Sequence, residues 1–281
     1  MLFLLGTALL INLTFMKIIT FLTLLFPLLF FSQKSFSVEY EADYKLSYKI
    51  KNTPNAPQSE AAFALLINKT SSYFKNMNKY IGDSLIAEKK LKESGNTVKD
   101  LGTFGKYGTQ FPEGIGTTDA KIYFSTEIEG KALGYEEPNN ISWKILNEYK
   151  TILGYKCRKA VTQKYGRKWI AYFSTDIPFP FGPYKFNNLP GLIVEVYDEK
   201  DDYHYTLYGF KKRKYVCKSA NILTDIKTVP KEKIFDYQRN KYQKYLNRFD
   251  NFIENKEELE ELKRKSLQAA KEYNPIELSI N

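Results

Sequence analysis

The chain predicts a mainly β fold with some helix: a curved antiparallel sheet or incomplete barrel, covered on one side by a C-terminal amphipathic helix. Three observations carry this. Short apolar runs that alternate with polar residues recur between positions 38 and 210, and turn-forming residues separate them at short intervals. After Pro230 both glycine and proline vanish over residues 231–273, and the apolar spacing changes from two to three or four.

The elements follow in order. Val38, Tyr40, Ala42, Tyr44, Leu46, Tyr48 and Ile50 alternate with polar neighbours, which makes a long half-exposed strand. Pro54 and Pro57 break it, and residues 61–68 read as a second strand. Residues 75–116 are polar and glycine-rich, so a loop is expected there, with a short helix near 84–92. Runs at 121–128, 142–146, 154–162 and 168–174 then read as short strands of an antiparallel meander, with Gly166-Arg167 turning between the last two and no internal repeat. Residues 192–197 are β-branched and aromatic, as a buried strand requires, and the polar turn Asp198-Glu199-Lys200-Asp201-Asp202 leads into a returning strand at 203–210. The basic run Lys211-Lys212-Arg213-Lys214 is placed at that strand's solvated end. Beyond Pro230, Ile234, Tyr237, Tyr242, Tyr245, Leu246, Phe249, Phe252 and Ile253 make an amphipathic helix, broken once near Asn255 and highly charged afterwards, which Pro275 ends. The expected organisation is a β domain over 38–229, with the helix and tail of 230–281 packed on it.

Residues 1–31 are almost wholly apolar, and Met16-Lys17 inside them looks like a second start followed by an apolar stretch. That is the pattern of a secretory signal peptide, with Ser35-Phe36-Ser37 offering small residues for a cut after Ser37 and Phe31-Ser32-Gln33 a rival site. The alternative is an uncleaved membrane anchor, for which the apolar length suffices. Residues 1–37 are therefore expected to be removed, residues 1–15 standing upstream of the second start, and the protein to be exported to the periplasm or secreted. No cysteine precedes Cys157 to carry a lipid.

Removing the leader leaves roughly 244 residues, enough for one sizeable core. Lys and Arg number 42 against 32 Asp and Glu, a net charge of +10. Outside Lys211–Lys214 the basic residues look scattered, and with export this argues against nucleic acid as a partner. Only Cys157 and Cys217 occur; in an oxidising compartment the simplest reading is one disulfide between them, worth about 4 kcal/mol by loop closure, and two free buried thiols are the alternative.

The most distinctive stretch is residues 181–198, FGPYKFNNLPGLIVEVYD, where a Gly/Pro/Asn-rich corner feeds an apolar strand. Pro190 fixes its own φ and pushes Leu189 to an extended conformation, so pairing is expected to begin only after it. The corner reads either as a fold nucleus or as the lip of a ligand cleft. Together with ILGYKCRKA at 152–160 and NPIEL at 274–278, this segment resembles the GLPGLI family of secreted Bacteroidetes proteins, with Asn188 standing where the family's motif opens with glycine. The resemblance covers most of the chain after residue 38 and implies secretion and a shared fold, but brings no catalytic residue. The predicted sheet is also similar to the half-barrel of periplasmic lipoprotein carriers, a likeness of fold that transfers no function.

Catalytic patterns are missing. His204 is the only histidine, so imidazole metal sites and a Ser-His-Asp arrangement have at most one imidazole to work with, and G-x-S-x-G, H-E-x-x-H and P-loop motifs do not occur. No metal or cofactor is called for: Asp198, Glu199, Asp201 and Asp202 lack EF-hand order and read as a solvated turn, as do Glu136 and Glu137. Two acids distant in sequence can still meet in space, though nothing marks which. The preferred reading is a non-enzymatic binding or chaperone-like module for an apolar ligand, a lipid, acyl chain or extended peptide, held by Trp169, Tyr172, Tyr184, Phe186, Leu189, Pro190 and Gly191. The alternative is an accessory partner of an outer-membrane protein system, acting through a sheet edge or the charged C-terminal helix.

Overall fold

The structure, a computed structural model, describes residues 36–88, 105–220, 226–249, 253 and 255–280. Among these, twelve strands form one sheet in the order β12-β6-β5-β4-β3-β2-β1-β11-β10-β9-β8-β7. The strands are β1 (Phe36–Tyr48), β2 (Ser59–Ile67), β3 (Ser71–Asn76), β4 (Gly114–Thr118), β5 (Lys121–Ile128), β6 (Lys131–Pro138), β7 (Lys144–Ile152), β8 (Tyr155–Lys164), β9 (Arg167–Ser174), β10 (Leu192–Asp198), β11 (Tyr203–Cys217) and β12 (Lys227–Thr228). Every pairing is antiparallel except that of β12 with β6, and the sheet stays open, with β12 and β7 as its edges. The fold is thus a mainly antiparallel open sheet with C-terminal helix. Of the leader expected over residues 1–37, residues 1–35 lie outside the described residues and Phe36 and Ser37 begin β1, and no described helix is long and apolar enough to cross a membrane.

Two meanders meet in the middle. One runs β1-β2-β3-β4-β5-β6 and the other β7-β8-β9-β10-β11, and the long pairing of β1 with β11, from Phe36 opposite Cys217 to Tyr48 opposite Tyr203, joins them. Register breaks at Val38/Tyr40 and Asp43/Tyr44 put extra residues into β11 and add local twist. Three hairpins turn on a residue pair with positive φ, Glu129-Gly130, Leu153-Gly154 and Tyr165-Gly166, the geometry that matches strand twist in two-residue loops.

The main core covers one face, where Tyr44, Leu46, Phe63, Leu65, Phe74, Trp169, Phe173, Val194 and Tyr205 have almost no exposed surface. A smaller cluster on the other side of β2 and β3, with Phe36, Val38, Leu66, Tyr73 and Cys217, is covered by α1 (Met77–Ala87) through Met77 and Tyr80. Asn76 caps α1 by accepting the backbone N–H groups of Asn78 and Lys79, an arrangement worth about 1 kcal/mol. The C-terminal region forms α2 (Lys231–Phe249) and α3 (Lys256–Glu272), and α2 packs on β6 and α3. The interruption falls at Asn255, whose side chain caps α3.

Several expectations need correction. Residues 75–116, read as loop with at most a short helix near 84–92, hold the end of β3, α1 at Met77–Ala87, which begins earlier than that helix, and the start of β4, while β6 was not foreseen at all. Glycine misled in both strands because it serves close packing: a Cβ on Gly114 would lie 2.3 Å from the Tyr73 hydroxyl, and one on Gly134 2.5 Å from the Phe124 carbonyl oxygen. β11 continues through the basic run to Cys217, so Lys211 is in mid-strand, pairing Glu41 and Asp43 at 2.9 Å each, and not at a solvated end. The disulfide is not formed, since Cys157 and Cys217 are both buried free thiols. They sit in different clusters on β8 and β11, with β9 and β10 between them. Three strand spacings of about 4.8 Å exceed the roughly 7 Å between Cα atoms that a bridge allows. Nor are the basic residues scattered: between positions 142 and 174, Lys144, Lys150, Lys156, Arg158, Lys159, Lys164, Arg167 and Lys168 accompany a single acid, Glu148, and topology places them all on the outer strands β7, β8 and β9.

Candidate ligand-binding site

The corner motif folds over the start of β10. Leu192 N–H reaches the Ile177 carbonyl at 2.9 Å and Ile193 N–H that of Phe181 at 3.0 Å, while Asn188 N–H closes back on Pro180 at 2.9 Å. Asn188 has φ 66°, a conformation asparagine tolerates better than other side chains apart from glycine. Gly191 is required for a different reason: a Cβ there would sit 2.1 Å from the Ser174 carbonyl oxygen. This packing drives Phe181, Phe186 and Leu189 into the main core and takes Lys185 with them.

Lys185 has no exposed surface. Its ammonium donates to Tyr135 Oη at 2.7 Å and to Glu277 Oε1 at 2.5 Å, and Glu137 Oε1 is 2.9 Å away. Lys231, at the first turn of α2, reaches Glu137 Oε2 at 2.7 Å and Glu277 Oε2 at 3.4 Å. Tyr184 Oη donates to Glu277 at 2.6 Å, and the rings of Phe124, Tyr135, Tyr165 and Tyr184 surround the Lys185 ammonium at 5.0 to 5.5 Å. Burial opposes the lysine's charge, but Glu277, Tyr135, Tyr165 and Glu137 outweigh it and hold the pKa well above the usual lysine range. Burial likewise pushes Glu137 up, and Lys185 and Lys231 more than reverse this, leaving the carboxyl below its ordinary value. Burial raises the pKa of Tyr135, Tyr165 and Tyr184, so their hydroxyls keep their protons. Two distant acids do meet here, but both face ammonium groups, and Glu137 is held ionised.

A second knot lies beside it. Arg167 Nη1 donates to Asp198 Oδ2 at 3.0 Å and Asp202 Oδ2 at 3.3 Å, Nη2 to Asn274 Oδ1 at 2.5 Å and the Pro275 carbonyl at 2.7 Å, and Nε to the Ile276 carbonyl at 3.1 Å. Asp198 also accepts the backbone N–H groups of Asp202 at 2.9 Å and Tyr203 at 2.7 Å. Asp198 is buried and organises the acidic turn, while Glu199, Lys200 and Asp201 are exposed, as a solvated turn requires. Tyr203 Oη donates to the Asn274 carbonyl at 2.6 Å, and Asn274 Nδ2 to Lys49 O at 3.0 Å. Both knots grip the tail segment NPIEL, one at Asn274 to Ile276 and the other at Glu277.

Bordering both knots is a cavity of about 100 Å³ between the sheet's main face, α2 and the tail. Tyr48, Phe63, Phe74, Phe111, Ile115, Phe124 and Tyr205 line the sheet side, Ile234 and Phe235 come from α2, and Tyr184, Pro275 and Ile276 close another wall. Phe63 stacks on Phe74 at 4.9 Å between ring centres, and Phe111 meets Phe63 edge-on at 5.3 Å. Polar groups from Gln110, Glu113, Gln238 and Arg239 also border the space.

Of the seven residues expected to hold a ligand, Tyr184 alone borders this cavity. Trp169, Phe186, Leu189 and Gly191 are buried and do not line it, with the Trp169 and Phe186 rings 4.5 Å apart and Trp169 Nε1 donating to the Lys164 carbonyl at 3.0 Å. Pro190 is exposed, and half-buried Tyr172 lies 3.9 Å below the Lys150 ammonium. The aromatic lining from β2 and β5 fell in runs read as strands but carried no mark of a cavity, β3 was not read as a strand, and Lys185 stood unnoticed inside the motif. His204 sits on the sheet surface, its Nδ1 2.8 Å from Asp201 and Nε2 3.3 Å from Glu195. Burial lowers the pKa of His204, and these two acids outweigh that and raise it.

No family model and no curated protein sequence matches the chain. Among solved structures it is similar to PNGF-II, at 16% identity and a TM-score of 0.47 over 71% of this chain and 32% of that one, so it spans about a third of PNGF-II. An uncharacterized conserved protein from Thermus thermophilus is 9% identical with a TM-score of 0.34, covering 69% of this chain and 90% of that one. A LolA superfamily protein from Nitrosomonas europaea is 10% identical with a TM-score of 0.25, over 71% and 91% respectively. At these identities and scores the site is read from its own residues.

Proposed function

We propose that this is an exported, non-enzymatic binding module that holds an apolar ligand, a lipid, acyl chain or apolar peptide segment, in the aromatic cavity between sheet and α2. One observation carries the reading: a partly enclosed space walled by Tyr48, Phe63, Phe74, Phe111, Ile115 and Tyr205, where Lys231 and Glu277, two of the charged residues lining it, are committed to ion pairs. Apolar walls with a few fixed polar groups suit a ligand held by burial, at about 25 cal/mol for each Å² of apolar surface removed from water. The resemblance of residues 181–198 and 274–278 to secreted GLPGLI proteins supports export.

Native mass spectrometry with lipid extraction tests this, using protein purified from an exporting host. A reproducible bound lipid or peptide is expected, and Ile115→Trp, which fills the cavity, should abolish it while leaving the circular dichroism unchanged. Phe111→Trp supplies a reporter inside the cavity, whose emission should shift to the blue when a fatty acid is added. A clean apo mass, together with an unresponsive Phe111→Trp emission for every acyl chain tried, would reject the reading.

A further inference from the structure

The two edges of the sheet are treated differently. At one edge the chain closes itself, with β12 paired to β6 and α2 packed there. At the other, β7 is bonded only to β8, its ladder interrupted between Ile145 and Tyr149, and its outer row of backbone N–H and C=O groups meets no described strand. Ile145, Tyr149 and, in the β7–β8 turn, Leu153 are exposed. Leu153 is unusual twice over: it is 55% exposed and has φ 50°, a conformation that leucine adopts at a cost and that asparagine or glycine would adopt more easily. Neither packing nor turn chemistry accounts for a leucine there.

Charge gathers at the same edge. Glu195 and Glu199, from β10 and the turn after it, pair Lys150 and Lys168, and Glu148 pairs Lys159. Among the described residues Lys144, Lys156, Arg158 and Lys164 make no ion pair, and Lys156 and Arg158 flank the exposed Tyr149 ring at 4.9 and 5.8 Å. Lysines and a broken ladder are the ordinary protection of an edge against aggregation. That explains the lysines and the interruption but not the exposed Tyr149 and the strained Leu153. We propose that β7 is a docking strand for an extended acidic segment of a partner protein, which pairs with its free edge, sets carboxylates against Lys144, Lys156, Arg158 and Lys164, and covers Tyr149 and Leu153. A strand is favoured over a flat anionic surface because the main-chain groups and apolar side chains run along one edge, the arrangement that strand addition uses. The inference does not rest on the cavity.

The test uses the full chain and a labelled ten-residue peptide alternating valine with glutamate, against the same peptide with lysine for glutamate. Fluorescence anisotropy should show binding of the glutamate peptide only, weakening as salt rises. Lys156→Glu with Arg158→Glu should weaken it at least tenfold, and Asn147→Pro, in the interrupted part of β7, should also weaken it. Leu153→Asn separates function from structure, since it should raise the melting temperature yet weaken binding several-fold. Ile115→Trp should leave peptide binding unchanged. Equal binding of both peptides, no binding, insensitivity to all of these edge variants, or capture of phosphatidylglycerol vesicles in place of the peptide would each overturn the proposal.

Discussion

Lys185 shows what a single residue decides. An ammonium without exposed surface survives only because Glu137, Glu277 and Tyr135 face it, and removing it leaves two carboxylates with Lys231 as their one cation in the knot. Lys185→Met should therefore cost about 3–5 kcal/mol in urea unfolding, and adding Glu277→Gln should recover part of the loss. A cost below about 1 kcal/mol would mean that the knot is not the constraint its geometry suggests. The same residues set a pH dependence. Because the pKa of Glu137 is lower in the folded protein than in the unfolded chain, its contribution is present above about pH 4.3 and is lost as acid takes the pH down through the folded value. The urea midpoint should fall in that range, and Glu137→Gln should flatten the fall. From sequence, Lys185 was one basic residue among many; its role depends on Glu137 in β6 and Glu277 in the tail, which no local spacing announces.

At the scale of elements, the motif loop and the tail hold each other, while α3 packs on α2 without burying a residue of its own. α3 has no buried residue, whereas Asn274 and Glu277 just beyond it are buried and bonded to Arg167, Lys185 and Tyr203. Truncation after Tyr273 should remove more than about 5 kcal/mol, enough to unfold an ordinary domain, as measured by loss of the cooperative thermal transition. Leu262→Ser and Leu267→Ser on α3 should change stability by no more than about 0.5 kcal/mol. β1 was legible because its alternation survives intact, and so was the helical region, down to the break at Asn255. β4 and β6 were not, because the glycines that let Tyr73 and the Phe124 carbonyl come close are the residues that also signal loops. The start of β1 bears on processing as well. Phe36 is buried and pairs with Cys217, so a cut after Ser37 would remove a core side chain. N-terminal sequencing of the protein recovered from an exporting host should find a start upstream of Phe36, and a start at Val38 would show that the second cluster tolerates its loss.

At the scale of the whole molecule, sheet order overrules sequence proximity. Cys157 and Cys217 looked like a pair because the chain holds no other cysteine, and strand order sends them to different clusters. Burial raises the Cys157 thiol to about 11, which keeps it unreactive in the folded state. Alkylation in guanidinium without reductant, followed by intact mass, should add two groups; addition of none would restore the bridge. The basic enrichment of residues 142–174 is continuous in the sequence, and strand order decides only that it lies on β7 to β9 at an open edge. What the sequence determined by itself was what depends on neighbours along the chain: strand and helix periodicity, the apolar run of residues 1–31, and a corner motif whose Asn188 and Gly191 suit its backbone. The tertiary structure alone decided which acids meet Lys185, which aromatic side chains enclose the cavity, where the thiols lie and which edge stays open. Periodicity assigns a residue to a face, but the partner across that face is fixed by long-range pairing such as β1 with β11, and spacing along the chain carries no record of it.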